Sequence, residues 1–333
     1  MITPCGVNTV GETEGAKSAA TLVAASPDLA VDVGGVRCAH PVWTASGCCG
    51  YGRELAALYP LRELGAICVK GTSAEPWLGN AGPRLAETSA GLLNAIGLQN
   101  PGATHLLDVD LPWLGQQDVP VVVNVVGRTV QEYVAVVQAL GAAPPGAVAG
   151  IELNISCPNV KEGGLQFGAD LGAAAAVTAA VREVTRWPLI VKLSPNVSDI
   201  VAFALAVERA GADAVSLINT LLGMRIDVAR RRPVLGNRTG GLSGPAVRPV
   251  ALRMVWDVAA AVRIPVVGIG GITSGNDAAE FLLAGASAVQ VGTAIFSDPW
   301  APLRVRDELT AWLRATGVRA VGEIVGAARA RPD

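Results

Sequence analysis

From residue 42 onward, short apolar runs alternate with longer alanine-rich segments whose apolar positions recur at helical spacing. The runs are VWTASG (42–47), AICVKG (66–71), VVVNVVG (121–127), IELNIS (151–156), LIVKLSP (189–195), AVSLINT (214–220), PVVGIGG (265–271) and AVQVGTA (288–294). They predict eight strands. Between them LGAAAAVTAAVREVT (171–185), DIVAFALAVERAG (199–211), AVRPVALRMVWDVAAAV (246–262) and NDAAEFLLAG (276–285) predict helices, the last closing on a glycine suited to a C-terminal cap. The runs are apolar throughout rather than alternating, as parallel strands buried on both faces require. Eight βα repeats in about 250 residues predict an α/β fold, a (β/α)8 TIM barrel, with active-site groups at the C-terminal ends of its strands. An open doubly wound sheet is the alternative, but neither GxGxxG nor GxxxxGK[ST] occurs to support it.

Residues 1–27 are expected to form a flexible N-terminal extension and 28–333 a single domain. Two connections, 72–120 and 221–264, are long for a barrel and are expected to build the lid and walls of the site as extended loops over the C-terminal face.

Composition narrows the function. With 51% hydrophobic and 16% charged residues the chain suits a compact enzyme-like globule and not a disordered one. A net charge of -2 argues against nucleic-acid binding, which needs a basic face; the cluster Arg230, Arg231, Arg232 reads as a solvated loop. Six cysteines without CxxC spacing predict reduced thiols and no metal site, with Cys48 and Cys49 filling a strand-to-loop turn. Nothing approaches the roughly 20 apolar residues of a membrane span, so a cytoplasmic location without membrane contact is expected.

The polar residues at the strand ends assemble a candidate site: Ser46, Lys70, Asn124, Asn154 with Cys157, Lys192, Asn219 with Thr220, Gly270 with Gly271, and Gly292 with Thr293. Amide side chains offer donors and acceptors together, which suits a flat heterocycle such as a pyrimidine or a flavin. Only four of the 26 lysine and arginine residues are lysines, and two of those, Lys70 and Lys192, close apolar strands. A compact ammonium there can meet a carboxylate, a ring carbonyl or a developing negative charge. Glycines after strands 7 and 8 let backbone N–H groups approach a phosphate, and GLSG (241–244), read as opening the helix after strand 6, could add donors. Cys157 follows strand 4, and a thiol of ordinary pKa about 8.5 can serve as general base or as nucleophile. His40, in the turn before strand 1, and His105, in a long connection, read as structural.

CGYGREL (49–55), AETSAGLLNAIGLQNPG (86–102), ELNISCPNVKEGGLQFG (152–168), VKLSPNV (191–197), INTLLGMRID (218–227), NRTGGLSGPA (237–246) and the GIGG and VGT turns resemble, in order, the class 1 dihydroorotate dehydrogenases, most closely class 1B. The resemblance runs from about residue 30 to 310. It implies an FMN-binding TIM barrel that oxidises dihydroorotate to orotate in pyrimidine biosynthesis. It implies that Cys157 is the base removing the C5 proton while hydride leaves C6. It places substrate at Lys70, Asn94, Ala95, Ile96, Gly97, Leu98, Asn154, Asn159, Asn219 and Thr220. It places FMN at Ser46, Lys70, Gly71, Asn124, Asn154, Lys192, Ile218, Gly244, Gly270, Gly271, Gly292 and Thr293. Class 2 members use serine as base and carry an N-terminal membrane-associating segment, unlike Cys157 and the polar N terminus here. Class 1B implies a homodimer core joined by a separate subunit bearing FAD and an iron–sulfur cluster, in a heterotetramer that passes electrons to NAD+. Alternatives are a class 1A-like fumarate-coupled enzyme, an FMN enzyme of another dihydropyrimidine such as dihydrouracil, a flavin-free phosphosugar aldolase or isomerase using Lys70 or Lys192, and a barrel retained as a scaffold.

Overall fold

The computed structural model describes residues 26–156 and 168–329. Eight parallel strands close into a barrel: β1 (Val42–Thr44), β2 (Ile67–Cys68), β3 (Val121–Val125), β4 (Gly150–Asn154), β5 (Leu189–Lys192), β6 (Ala214–Leu217), β7 (Val266–Ile269) and β8 (Ala288–Val291). Each expected run coincides with one of them, β4 starting one residue earlier than its run, and β8 pairs back onto β1 with Gln290 opposite Trp43. The ladder between β4 and β5 sets Asn154 beside Lys192, and that between β3 and β4 sets Asn124 beside Glu152.

The strands are apolar on both faces because both are covered. Their outer faces pack against helices α1 (Val130–Ala139), α2 (Leu171–Val184), α3 (Ile200–Arg209), α4 (Arg248–Ala261), α5 (Gly275–Ala284) and α6 (Ala301–Ala315) in one large core. The starts of α1, α2 and α3 are fixed by Thr129, Asp170 and Asp199, whose side chains accept from otherwise unpaired first-turn N–H groups. Ser274 and Asp277 cap α5 reciprocally, and Gly285 ends it at φ 116°, as its sequence predicts.

Inside, the barrel is layered. A hairpin of Val31–Val33 and Val36–Cys38 contributes Val33, Val36 and Cys38 to an apolar layer with Trp43, Ala66, Cys68, Val122, Ile190, Ala214, Val267 and Ala288. Polar side chains occupy the strands nearer their C-terminal ends: Asn124, Glu152, Asn154, Lys192, Ser216 and Gln290, all buried. The packed floor leaves the C-terminal side as the place where a ligand can meet polar groups.

The two long connections meet each other. They form one antiparallel sheet in the order Leu221–Met224, Thr239–Ser243, Gly91–Asn94, Leu85–Thr88. Gly241 pairs with Asn94 and Ser243 with Leu92 across this join. The ladder corrects the expectation for GLSG: residues 239–243 are a strand, and α4 begins only at Arg248, after a short 3-10 turn at Pro245–Val247. Their backbone groups are engaged in strand pairing rather than free at a helix end, and a Cβ on Gly91 would collide with the Ser243 carbonyl. The extension expected over 1–27 lies outside the described residues except at Ser26 and Pro27; Asp28 next to them is tied to the C-terminal segment by N–H donation to the Arg319 carbonyl at 2.8 Å.

Candidate active site

The strand-end residues form a continuous hydrogen-bonded run. Lys192 Nζ donates to Ser46 Oγ at 3.1 Å and to Glu152 Oε1 at 3.5 Å. Asn124 Nδ2 donates to the same Glu152 oxygen at 2.6 Å, and its own Oδ1 accepts from Asn154 Nδ2 at 3.5 Å. Asn154 Oδ1 accepts in turn from Asn219 Nδ2 at 3.3 Å and from the Ser156 N–H at 3.2 Å. Five of the expected residues, from β1 through the end of β6, are thereby oriented by one another. Gly71 lies against this run, since a Cβ there would stand 2.9 Å from Asn124 Oδ1.

The glycines gather at a second pole. A Cβ on Gly271, whose φ is 73°, would stand 2.7 Å from the Gly244 carbonyl, and one on Gly244 would stand 3.6 Å from Thr293 Cγ2. Thr293 Oγ1 donates to Ser243 Oγ at 2.8 Å. Gly270 and Ile218 adjoin the same place, with 3.5 Å between Ile218 Cγ1 and a Cβ on Gly270. Open backbone is the donor set that a phosphate needs, because N–H groups unshielded by side chains can converge on its oxygens. The two hydroxyls are engaged with protein here, Thr293 donating to Ser243 and Ser243 to the Leu92 carbonyl at 3.3 Å, and would join that set by turning their O–H bonds toward the ligand. Arg248, beside Gly271, is committed to an ion pair with Asp277.

Other expected residues sit in the covering sheet, as Asn94 does, or beside it. Asn94 Nδ2 donates to the Gly241 carbonyl at 3.3 Å, and Ala95 and Ile96 offer carbonyls to Asn80. Gly97 and Leu98 turn the chain with φ of 74° and 54°, and Thr220 packs directly on Gly241. A branched side chain such as leucine in the left-handed region is uncommon outside sites that hold it there. Cys157 and Asn159 lie outside the described residues.

Sequence reasoning overlooked four contributors. Glu152 is fully buried within β4, and its signal was a lone charge inside an apolar strand, a placement that charged residues adopt only when paired. Gln290 and Ser243 are the second and third. Cys48 is the fourth: the adjacent thiols were read alike, yet Cys49 is buried and donates to Thr44 Oγ1 at 3.2 Å, while Cys48 Sγ is 3.3 Å from a Cβ position on Gly292. Burial pushes the Cys48 thiol up to about 11 against the opposing pull of Lys192 and Lys70. Burial lowers the pKa of Lys70, an effect that Cys48 partly counters. Burial alone would raise Glu152, but the Lys192 ammonium and hydrogen bonds from Gln290, Cys68 and Ser216 outweigh it and hold the carboxyl below its usual range. His40 is structural as expected, buried with Nε2 2.9 Å from the Glu63 carbonyl. Arg230 pairs with Asp227 at 2.9 Å on an exposed turn, in keeping with a solvated loop.

A family model described as dihydroorotate dehydrogenase matches residues 28–313. The chain belongs to the dihydroorotate dehydrogenase family. It is 56% identical over 301 residues to the protein of Geobacter metallireducens called dihydroorotate dehydrogenase B (NAD(+)), catalytic subunit, covering 90% of this chain and 98% of that one. It is 53% identical over 298 residues to proteins of the same description from Halalkalibacterium halodurans and Geobacillus kaustophilus, covering 90% of this chain and 97% and 95% of theirs. Dihydroorotate dehydrogenases are flavin-dependent oxidoreductases acting on a CH–CH bond, and the class 1B resemblance agrees with these relatives. Among the described residues no helix is long and apolar enough to cross a membrane. The residues present fit a flavin mononucleotide in kind: an amide and ammonium run suits the ring, and the glycine pole with Ser243 and Thr293 suits one phosphate.

Proposed function

We propose that the chain oxidises dihydroorotate to orotate as the FMN-bearing catalytic subunit of an NAD+-linked enzyme in pyrimidine biosynthesis. The observation that carries this reading is the run from Ser46 through Lys192, Glu152, Asn124 and Asn154 to Asn219, which lines the C-terminal end of the barrel with fixed donors and acceptors. FMN, when bound, supplies the hydride acceptor for C6.

The chain's own residues then divide the remaining work. Ser46, Lys70, Gly71, Asn124, Asn154, Lys192 and Ile218 hold the flavin ring, and Gly244, Gly270, Gly271, Gly292 and Thr293 hold its phosphate, with Ser243 added by its contact to Thr293. Lys70, the 94–98 segment, Asn154, Asn159, Asn219 and Thr220 hold the substrate. Asn94 is fixed for this by Gly241, and Asn219 by Asn154. Cys157 removes the C5 proton, which lies α to a ring carbonyl and is acidified when that carbonyl accepts hydrogen bonds from amide donors. A cysteine thiolate, whose ordinary pKa of about 8.5 leaves it within reach near neutral pH, takes this proton and returns it to water after product leaves. The relatives' description as the catalytic subunit of an NAD(+) enzyme supports a partner chain that carries electrons onward to NAD+. In this reading that chain bears FAD and an iron–sulfur cluster, as the class 1B resemblance implies. A homodimer core within a cytoplasmic heterotetramer completes the reading.

The test is substrate preference of the flavin-loaded protein. Dihydroorotate is expected to be turned over and dihydrouracil, which lacks the carboxylate, hardly at all; the reverse preference overturns the assignment.

A further inference from the structure

One carboxylate stands in the polar layer of the barrel, and none of the roles above uses it. Glu152 is 0% exposed. Its Oε1 accepts from Asn124 Nδ2 at 2.6 Å, Cys68 Sγ at 3.3 Å and Lys192 Nζ at 3.5 Å; its Oε2 accepts from Ser216 Oγ and Gln290 Nε2, each at 2.9 Å. The donors come from β2, β3, β5, β6 and β8, so with β4 six of the eight walls converge on one side chain. A carboxylate held at both oxygens by several rigid strands cannot follow a moving partner. Whatever it pairs with is fixed instead.

Its charged partner is Lys192, itself 4% exposed, whose other contact is Ser46 just beyond the end of β1. The ammonium therefore sits between a buried anchor and the barrel mouth. Other titratable groups lie nearby: the thiols of Cys48 and Cys68 act on the pair itself, and Lys70 and the Cys49 thiol act on Cys48; burial raises all three thiols and so keeps them neutral. Glu152 is thus the anion available to Lys192 among the described residues. A buried ion pair is a poor stabiliser compared with apolar packing of the same volume, so its presence asks for another explanation.

We propose that Glu152 is a positioning residue that anchors the Lys192 ammonium at the mouth of the barrel as a fixed positive charge facing the bound ring. The proposal rests on the reading that this mouth takes FMN. A fixed, preorganised charge stabilises electron density gained by a ring without reorganising, which a mobile lysine does not do.

The test is the absorbance spectrum of FMN bound to three proteins, titrated between about pH 6 and 9, where a buried lysine without its counter-ion releases its proton. In the wild type the spectrum is expected to be flat apart from any change due to Lys70, which all three proteins share. Glu152→Gln is expected to show an added one-proton spectral transition, and Glu152→Gln with Lys192→Met is expected to lose it. A Glu152→Gln protein that binds FMN with the wild-type pH response overturns the proposal. Should that variant fail to fold, Lys192→Met in the flavin-free protein tests the pair from its other side. Its carboxylate lacks a cation, so the folded-state pKa of Glu152 rises above the unfolded one, and the stability due to the protonated form is lost as pH rises. The deficit in its unfolding midpoint relative to wild type is expected to grow from pH 5 to pH 8; a pH-independent deficit contradicts the pairing. Failure of the wild type to take up FMN would refute the flavin reading, and the flavin-free comparison would still decide the pairing.

Discussion

The side-chain oxygen of Asn154 accepts from the Asn219 amide at 3.3 Å, joining the end of β4 to the segment after β6. The same oxygen accepts from the Ser156 N–H, one residue before Cys157. One amide thus links Asn219, proposed to hold the substrate, to the strand end that leads to Cys157, the proposed base. Replacing Asn219 with Ala leaves Asn154 short of one buried partner, at a cost of about 1–3 kcal/mol. For Asn219→Ala we expect kcat/KM for dihydroorotate to fall on the order of 10- to 100-fold, with flavin content unchanged. Steady-state kinetics beside the flavin absorbance of the purified variant checks both halves.

Acid should act on the Glu152–Lys192 pair with a definite sign. The folded-state pKa of Glu152 is lowered, so its contribution to stability is present above the ordinary carboxyl value of about 4.3 and is lost as pH falls through the folded value. Near neutral pH, Glu152→Gln removes one partner of a buried pair and should cost about 3–5 kcal/mol. Denaturant titrations from pH 6 down to pH 3, below the range in which the unpaired Lys192 of the variant changes charge, should show the gap between wild type and variant narrowing. A gap that widens on acidification would contradict the ion pair.

At the glycine pole, Gly271→Ala strains a backbone at φ 73° and drives a methyl toward the Gly244 carbonyl, 2.7 Å away. Flavin affinity should fall at least tenfold by fluorescence titration. Thr293→Val, which removes the donor to Ser243 with little change of shape, should weaken flavin binding more mildly, by an amount in the range of one hydrogen bond, about 1 kcal/mol.

The eight barrel strands are legible in the sequence because each is a continuous apolar run punctuated by the polar residue that ends it, and burial on two sides leaves no other pattern. The hairpin under the barrel is not, because VDV and VRC are three residues each and too short to carry a period. The covering sheet is not, because its central pairing joins Asn94 to Gly241, residues brought together only once the barrel has closed. At the site, polar strand ends such as Asn124 and Lys192 announce themselves by position. Glu152 announces only that it must be paired, as a lone charge inside an apolar strand; two residues back from the strand end, its five partners on five other strands are not readable from the sequence.

In the proposed reaction this barrel takes electrons from dihydroorotate with Cys157 as the base. Anaerobic mixing of dihydroorotate with the flavin-loaded wild type and with Cys157→Ala, followed at the flavin absorbance maximum, tests it most directly. Rapid bleaching is expected in the wild type and, in a variant that retains its flavin, bleaching slowed at least about 100-fold at neutral pH, the lower range for loss of a general base. Bleaching of Cys157→Ala at the wild-type rate, or no bleaching of the wild type, would contradict the proposed reaction.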